Sequence, residues 1–278
     1  MMRLRYFVAL VLFAVIAIPT SASAAPPWAR RRLTLPRHDW AFDLGMGVGH
    51  YDYGRDIDDT ELGLDFELAV APIRHLELGF RTGVRLTKSR VTHPDEFGRL
   101  YDRQTWGSNG AGYPEPGSRF FPVRPDAFAN PEFRVRGQLV DTQVFELALE
   151  GRAYIPLEDR SRFTAVFGLP LGIHIGRVVR MDTGVYVPLR VYDPTEIYFS
   201  IPFDIWFQVT NRLWLGPLFQ FKHRAEPEPA SDFGVGFGLG YQFASWVDLK
   251  TQIFWPAVDN DRGATNVGAG VGVQLRIE

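Results

Sequence analysis

The stretch 197–209 reads I-Y-F-S-I-P-F-D-I-W-F-Q-V, and its odd positions, Ile197, Phe199, Ile201, Phe203, Ile205, Phe207 and Val209, are all large and apolar. The even positions carry Tyr198, Ser200, Pro202, Asp204, Trp206 and Gln208. A period of two means a strand, because successive side chains leave a strand on opposite faces. One face is therefore continuously oily, and the other holds a hydroxyl, an acid and an amide. Two packings accept such a strand. In a soluble sandwich the oily face points inward, whereas in a barrel that crosses a membrane it points to lipid and the polar face lines the interior.

The beginning of the chain bears on this choice. Arg3 and Arg5 precede an apolar run over 6–18, which is followed by Pro19 and the small-residue site Ala22-Ser23-Ala24. This is the pattern of a secretory signal peptide, expected to span 1–24. No other run is apolar and long enough for a helical span of ~20 residues, so a membrane-crossing form of this chain has to cross with strands. The chain has no cysteine, which excludes a disulfide framework and a lipid-modified cysteine. Loss of Arg3 and Arg5 takes the formal charge from −2 to −4, which gives no reason to expect nucleic acid as a partner. The 27 glycines and 14% aromatic residues fit many short strands packed by rings.

Residues 25–37, with Arg30-Arg31-Arg32, read as a short periplasmic N-terminal lead. The triple arginine suits either contact with anionic headgroups or a solvated end. The alternating pattern then recurs about twelve times over 38–278. The pattern blurs around 178–182, and the turn to the seventh strand is expected at 181–184. The connection at about 89–129 is by far the longest and has no period. Counted from the first strand, connections at one end are short and those at the other longer. With an even strand number, both termini lie at the short end. Trp40, Phe221, Phe243 and Trp255 have outward parity near strand ends, where rings form interfacial girdles.

On these features the mature chain resembles the bacterial outer-membrane β-barrel proteins over essentially its whole length. The resemblance implies an all-β fold, a closed antiparallel up-and-down transmembrane β-barrel of about twelve strands, located in the cell outer membrane. It also implies outer-membrane lipid and lipopolysaccharide as surroundings and the barrel-assembly machinery as the route of insertion. The chain departs from the group at its end, Leu275-Arg276-Ile277-Glu278, where such barrels commonly carry a terminal aromatic.

Two features of the inner face are candidates for function. Asp65 and Glu67 share parity with Arg81 and Arg85 on the next strand, and Arg134 and Arg136 with Glu146, Glu150 and Arg152. Opposite charges on neighbouring strands attract, so these residues either neutralise one another or form a charged constriction. Closure of the ring brings Gly45, Gly47 and Gly49 beside Gly268, Gly270 and Gly272, with Gly234, Gly236, Gly238 and Gly240 close by. That sector either curves tightly or leaves a gap for a solute or an inserted loop, the latter expected from 92–129. A catalytic set is not evident: Ser200 and Asp204 share inward parity on the eighth strand, but His174 lies on the sixth, two strands away. No metal or cofactor is implied. The expected function is a narrow porin-like channel for small polar solutes; the alternatives are a closed structural or surface-interaction barrel and, third, a barrel enzyme of lipase or protease type.

Overall fold

A computed structural model describes residues 26–52, 58–85, 131–155, 163–190, 196–226, 230–255, 258 and 267–277. The signal segment and the connection at about 89–129 lie outside these residues. Twelve strands follow in order: β1 (Trp40–Asp52), β2 (Asp58–Ile73), β3 (Leu76–Arg85), β4 (Glu132–Asp141), β5 (Phe145–Tyr154) and β6 (Thr164–Ile175). The second half is β7 (Val179–Arg190), β8 (Glu196–Gln208), β9 (Leu213–Glu226), β10 (Ala230–Ala244), β11 (Val247–Trp255) and β12 (Val267–Ile277).

Each strand pairs antiparallel with its neighbours in sequence, and β1 pairs with β12, so the sheet is a closed up-and-down barrel. Closure runs without a break from Trp40 opposite Ile277 to His50 opposite Val267. A closed ring removes the exposed strand edges that would otherwise leave backbone groups unpaired in lipid.

Local chemistry sets the turns. At the end where both terminal strands meet, connections are two to four residues long. Between β4 and β5 the Thr142 hydroxyl accepts the Phe145 N–H at 2.8 Å, while the Thr142 N–H donates to the Phe145 carbonyl at 3.0 Å. Thr210 does the same work between β8 and β9, its hydroxyl accepting the Leu213 N–H at 3.0 Å. A short polar side chain at the turn start closes the hairpin on itself.

One expected boundary is corrected. The strand break near 181–184 does not exist: β7 runs unbroken from Val179, and the turn lies at 176–178, where Gly176 has a left-handed φ of 63°. Alternation persists through the blurred stretch, with Arg180, Asp182 and Tyr186 buried and Val185 exposed. It was faint because Met181 and Thr183, only half buried, occupy the outward positions there.

Burial is the inverse of that in a soluble protein. Phe42, Met46, Leu68, Phe133, Phe167, Phe199, Phe237 and Leu249 are exposed on the outside, while Arg136, Glu77, Arg180 and Asp204 are fully buried within. Monomers in water rarely expose contiguous apolar area beyond a few hundred Å². An apolar surface that follows the strands around the ring is a lipid-facing one. Trp40 and Phe243 stand on it at the short-turn end, and Trp255 ends β11 at the other. Phe221 is exposed within β9 rather than at its tip, because β9 continues to Glu226.

Candidate functional site in the barrel lumen

The inward positions of β2 to β5 build one connected charge network. Arg134 on β4 pairs with Glu67 on β2 at 2.6 Å and with Glu77 on β3 at 3.0 Å. It reaches two strands away by lying over Gly79, where a Cβ would come within 3.1 Å of its guanidinium. Arg136 pairs with Glu150 at 2.6 Å, Arg152 binds the same carboxylate at 2.6 Å, and Arg81 and Arg152 each approach Glu132 at 3.6 Å. Arg134 stands directly opposite Arg152 in the ladder, a repulsive placement that works because each guanidinium is turned toward acids on either side.

Thus Glu67, Arg81, Arg134, Arg136, Glu150 and Arg152 come together as one group, while the backbones of Asp65 and Arg85 lie on β2 and β3 and their side chains fall outside the described residues. The network also takes in Glu77 and Glu132, whose inward parity was legible in the sequence without their role. Glu146 leaves the group. Its carboxylate lies 2.6 Å from His174 Nε2 and 3.1 Å from Arg32.

Arg32 points to the largest departure from expectation. Residues 26–37 turn back into the lumen from the short-turn end, where Trp28, Ala29, Arg31, Leu33, Thr34 and Leu35 are buried. Arg31, read as lipid-contacting or solvated, is 1% exposed and forms a two-toothed pair with Asp248 of β11, one arm of which is 3.0 Å. The physical reason is complementarity: the strand ends there carry carboxylates and aromatic faces that a basic, apolar segment satisfies. The alternation of Leu33 and Leu35 was the available signal, since a solvated lead has no use for it.

The lead is held along its backbone. The Ala29 N–H donates to Gln208 Oε1 at 3.0 Å, the Leu33 N–H to Glu146 at 2.6 Å and the Leu35 N–H to Glu77 at 2.9 Å. In the other direction, His174 Nδ1 donates to the Ala29 carbonyl at 2.7 Å, Arg180 to the Arg31 carbonyl at 2.7 Å and Arg136 to the Leu33 carbonyl at 2.6 Å. Both nitrogens of His174 thus face oxygen atoms, the Ala29 carbonyl and the Glu146 carboxylate.

Trp28 opens a short 3-10 turn, Trp28–Arg30, and lies in an aromatic cup. It stacks on Trp214 with ring centroids 4.7 Å apart and planes 2° from parallel, and meets Trp206 edge-on at 5.9 Å. Arg31, Lys250 and Arg180 surround its ring at 5.2, 5.4 and 5.8 Å, within cation–π range. This cup explains the glycines of β10. A Cβ added at Gly236, Gly238 or Gly240 would strike the rings of Phe254, Trp206 and Trp214 respectively, so these glycines seat rings and leave no empty gap. The glycines of β1 and β12 pair as anticipated, Gly45 with Gly272, Gly47 with Gly270 and Gly49 with Gly268.

Asp43 completes the inner wall near closure, accepting from Lys250 at 3.0 Å and Gln274 at 2.8 Å. His174 and Ser200 do not meet. His174 stands opposite Arg180, which stands opposite Trp206, whereas Ser200 stands opposite Tyr186. That offset along β8 is about 20 Å. The expected insertion of 92–129 into the mouth lies outside the described residues.

No family model matches the sequence, and no curated protein matches it. Solved structures do. An outer-membrane channel from Pseudomonas putida F1 matches with a TM-score of 0.62 at 9% identity, covering 88% of this chain and 97% of that one. The NanC porin matches with a TM-score of 0.56 at 6% identity, over 84% of this chain and 100% of its own. The KdgM porin gives 0.51 at 8% identity, over 85% and 99%. At such identities the shared property is the fold, that of the bacterial outer-membrane β-barrels. With the lipid-facing exterior, that architecture places the chain in the outer membrane.

Proposed function

We propose that this outer-membrane barrel is a narrow channel for small polar solutes, occupied from its short-turn end by its own N-terminal segment. The observation that carries the reading is the way residues 28–35 are held: apart from Arg32, which also reaches the Thr142 carbonyl, their bonds to the wall go to side chains such as Glu146, Glu77, Asp248 and Arg136. Among the described residues, backbone pairing between the lead and the barrel begins only at His38, whose N–H donates to the Ala71 carbonyl at 2.7 Å. A segment held in this way leaves without breaking the sheet. Support also comes from the fold shared with a channel and two porins, and from a lumen lined by polar and charged groups.

The neutralised β2–β5 network supports the second reading, a closed barrel without transport, since paired charges filling a wall need no solute. Planar-bilayer recording of the full chain and of Trp28→Ala/Arg31→Ala separates the two. A channel closed by its lead gives sparse openings that become frequent and larger in the variant. If the variant's lead becomes protease-accessible and the barrel still passes no current, the closed reading replaces the channel.

A further inference from the structure

The residues that hold the lead form a receptor for an extended peptide, and they hold it with features that do not depend on its being covalently attached. Backbone groups are engaged at alternate residues, 29, 31, 33 and 35, by side chains of the wall. At Trp28 and at three of these anchored residues the wall also offers side-chain sites. Trp28 fills the cup of Trp206, Trp214 and Phe254. Arg31 meets the carboxylate of Asp248. Leu33 packs among Ala148, Tyr154, Val166 and Tyr186, and Leu35 among Ala41, Ala69 and Ala71. Alternate backbone anchoring with pockets for alternate side chains is how extended peptides are read by proteins in general.

The receptor is also held by the wall itself. Arg136 is fastened to Glu150, Arg180 to Asp182, Glu77 to Arg134, and Asp248 lies 3.7 Å from Arg276. Each group that grips the lead thus has a second partner on the strands, which keeps its position when the lead is absent. Groups arranged before a ligand arrives bind it with less ordering cost.

We propose that this half of the lumen is a peptide-binding site, and that the solutes it takes are short extended peptides with an aromatic residue followed three positions later by arginine, residues 28–35 being the resident stand-in. The proposal deepens the channel reading by naming a substrate class and rests on it for passage, though not for binding. Asp248 selects arginine over lysine, since its two oxygens match the guanidinium fork. The flat Trp214 face selects an aromatic ring at the first position.

The test uses the full chain carrying Trp28→Ala/Arg31→Ala, substitutions confined to the lead, in lipid nanodiscs. The probe is a fluorescent synthetic peptide with the sequence of residues 26–37, followed by anisotropy, beside a scrambled peptide of identical composition and a neutral oligosaccharide competitor. The matching peptide is expected to bind at least about tenfold tighter than the scrambled one, and tighter to the variant than to the unaltered chain, where the lead competes. Adding Asp248→Asn should weaken it by about tenfold or more. Equal binding of the scrambled peptide, or displacement by the oligosaccharide at equal concentration, overturns the proposal. Should the double variant lose its compact unboiled band in detergent gels, Arg31→Gln alone gives the same comparison. Peptide binding without any ionic current leaves the site standing and removes the channel; current without peptide discrimination does the reverse.

Discussion

The two halves of the inner wall solve the same problem differently. From β2 to β5 the inward positions are long and charged, and arginines and glutamates on adjacent strands satisfy one another: Arg136 with Glu150, Arg134 with Glu67 and Glu77. From β8 to β11 glycines seat large rings, with Trp206, Trp214 and Phe254 resting over Gly238, Gly240 and Gly236, among polar groups such as Gln220, Asp248 and Lys250. The first half is closed electrically by its own strands. The second is closed by shape, and its aromatic cup is completed only by Trp28 from the lead. The lead touches both, its Leu33 and Leu35 backbone held by Glu77, Arg136 and Glu146 of the first, but its aromatic anchor and its arginine pair lie in the second, so substitutions in the two sectors should release it to different extents.

The sharpest way to break this contrast is in the charged half. Glu150→Ala strips the nearest carboxylate from both Arg136 and Arg152 in a fully buried site, and losing one side of such a pair costs about 3–5 kcal/mol. Denaturant titration in lipid vesicles should show that loss, with a smaller rise in protease access to the lead, because Arg136 also holds the Leu33 carbonyl. Unchanged stability would mean that water already reaches the network. Next in size, Asp248→Asn should free the lead with little effect on barrel unfolding, because a charge-assisted bond of this kind contributes about 1.5–3 kcal/mol to docking. Limited trypsin cleavage after Arg30 to Arg32 in the folded protein reports it, and an equal fall in barrel stability would erase the division between the halves.

Gly240→Ala places a methyl group against the Trp214 ring, an overpacking that costs about 1–3 kcal/mol and tilts the surface on which Trp28 stacks. Tryptophan emission should shift to the red as Trp28 meets water. The smallest effect belongs to Trp28→Leu, which keeps apolar bulk and removes the stacked pair, a loss of about 0.5–1.5 kcal/mol. A modest rise in open-channel frequency is the expected reading. An effect as large as that of Asp248→Asn would shift the main anchor of the lead from the salt bridge to the ring.

Much of this was legible beforehand, for reasons that can be traced to residues. Phe199, Ile201 and Phe207 alternate with Ser200, Pro202 and Trp206, so each strand's two faces follow from neighbouring residues alone, and burial follows that alternation. The glycine pairing of β1 with β12 was legible too, because both strands carry glycine at every second position and equal spacing leaves few registers. The turn before β7 was misplaced because Met181 and Thr183 are weak markers of an outer face, and the tight turn depended on the left-handed conformation of Gly176. The β10 glycines were read as open space, since their occupants come from other strands: Trp206 from β8, Trp214 from β9 and Phe254 from β11.

What the sequence determined by itself is which side of every strand meets lipid and which meets the interior, along with the closure of an even-stranded ring. The first is local, set by a period of two and by turn residues within a few positions, and the second follows from counting such strands and from the matching glycine spacing of the first and last. Only the tertiary structure decided that Arg134 passes over Gly79 to Glu67, that Glu146 leaves its neighbours for His174 and the Leu33 N–H, and that Trp28 and Arg31 lie inside against Trp214 and Asp248. Their partners are separated from them by as many as 217 residues of chain and come within reach only when the cylinder closes.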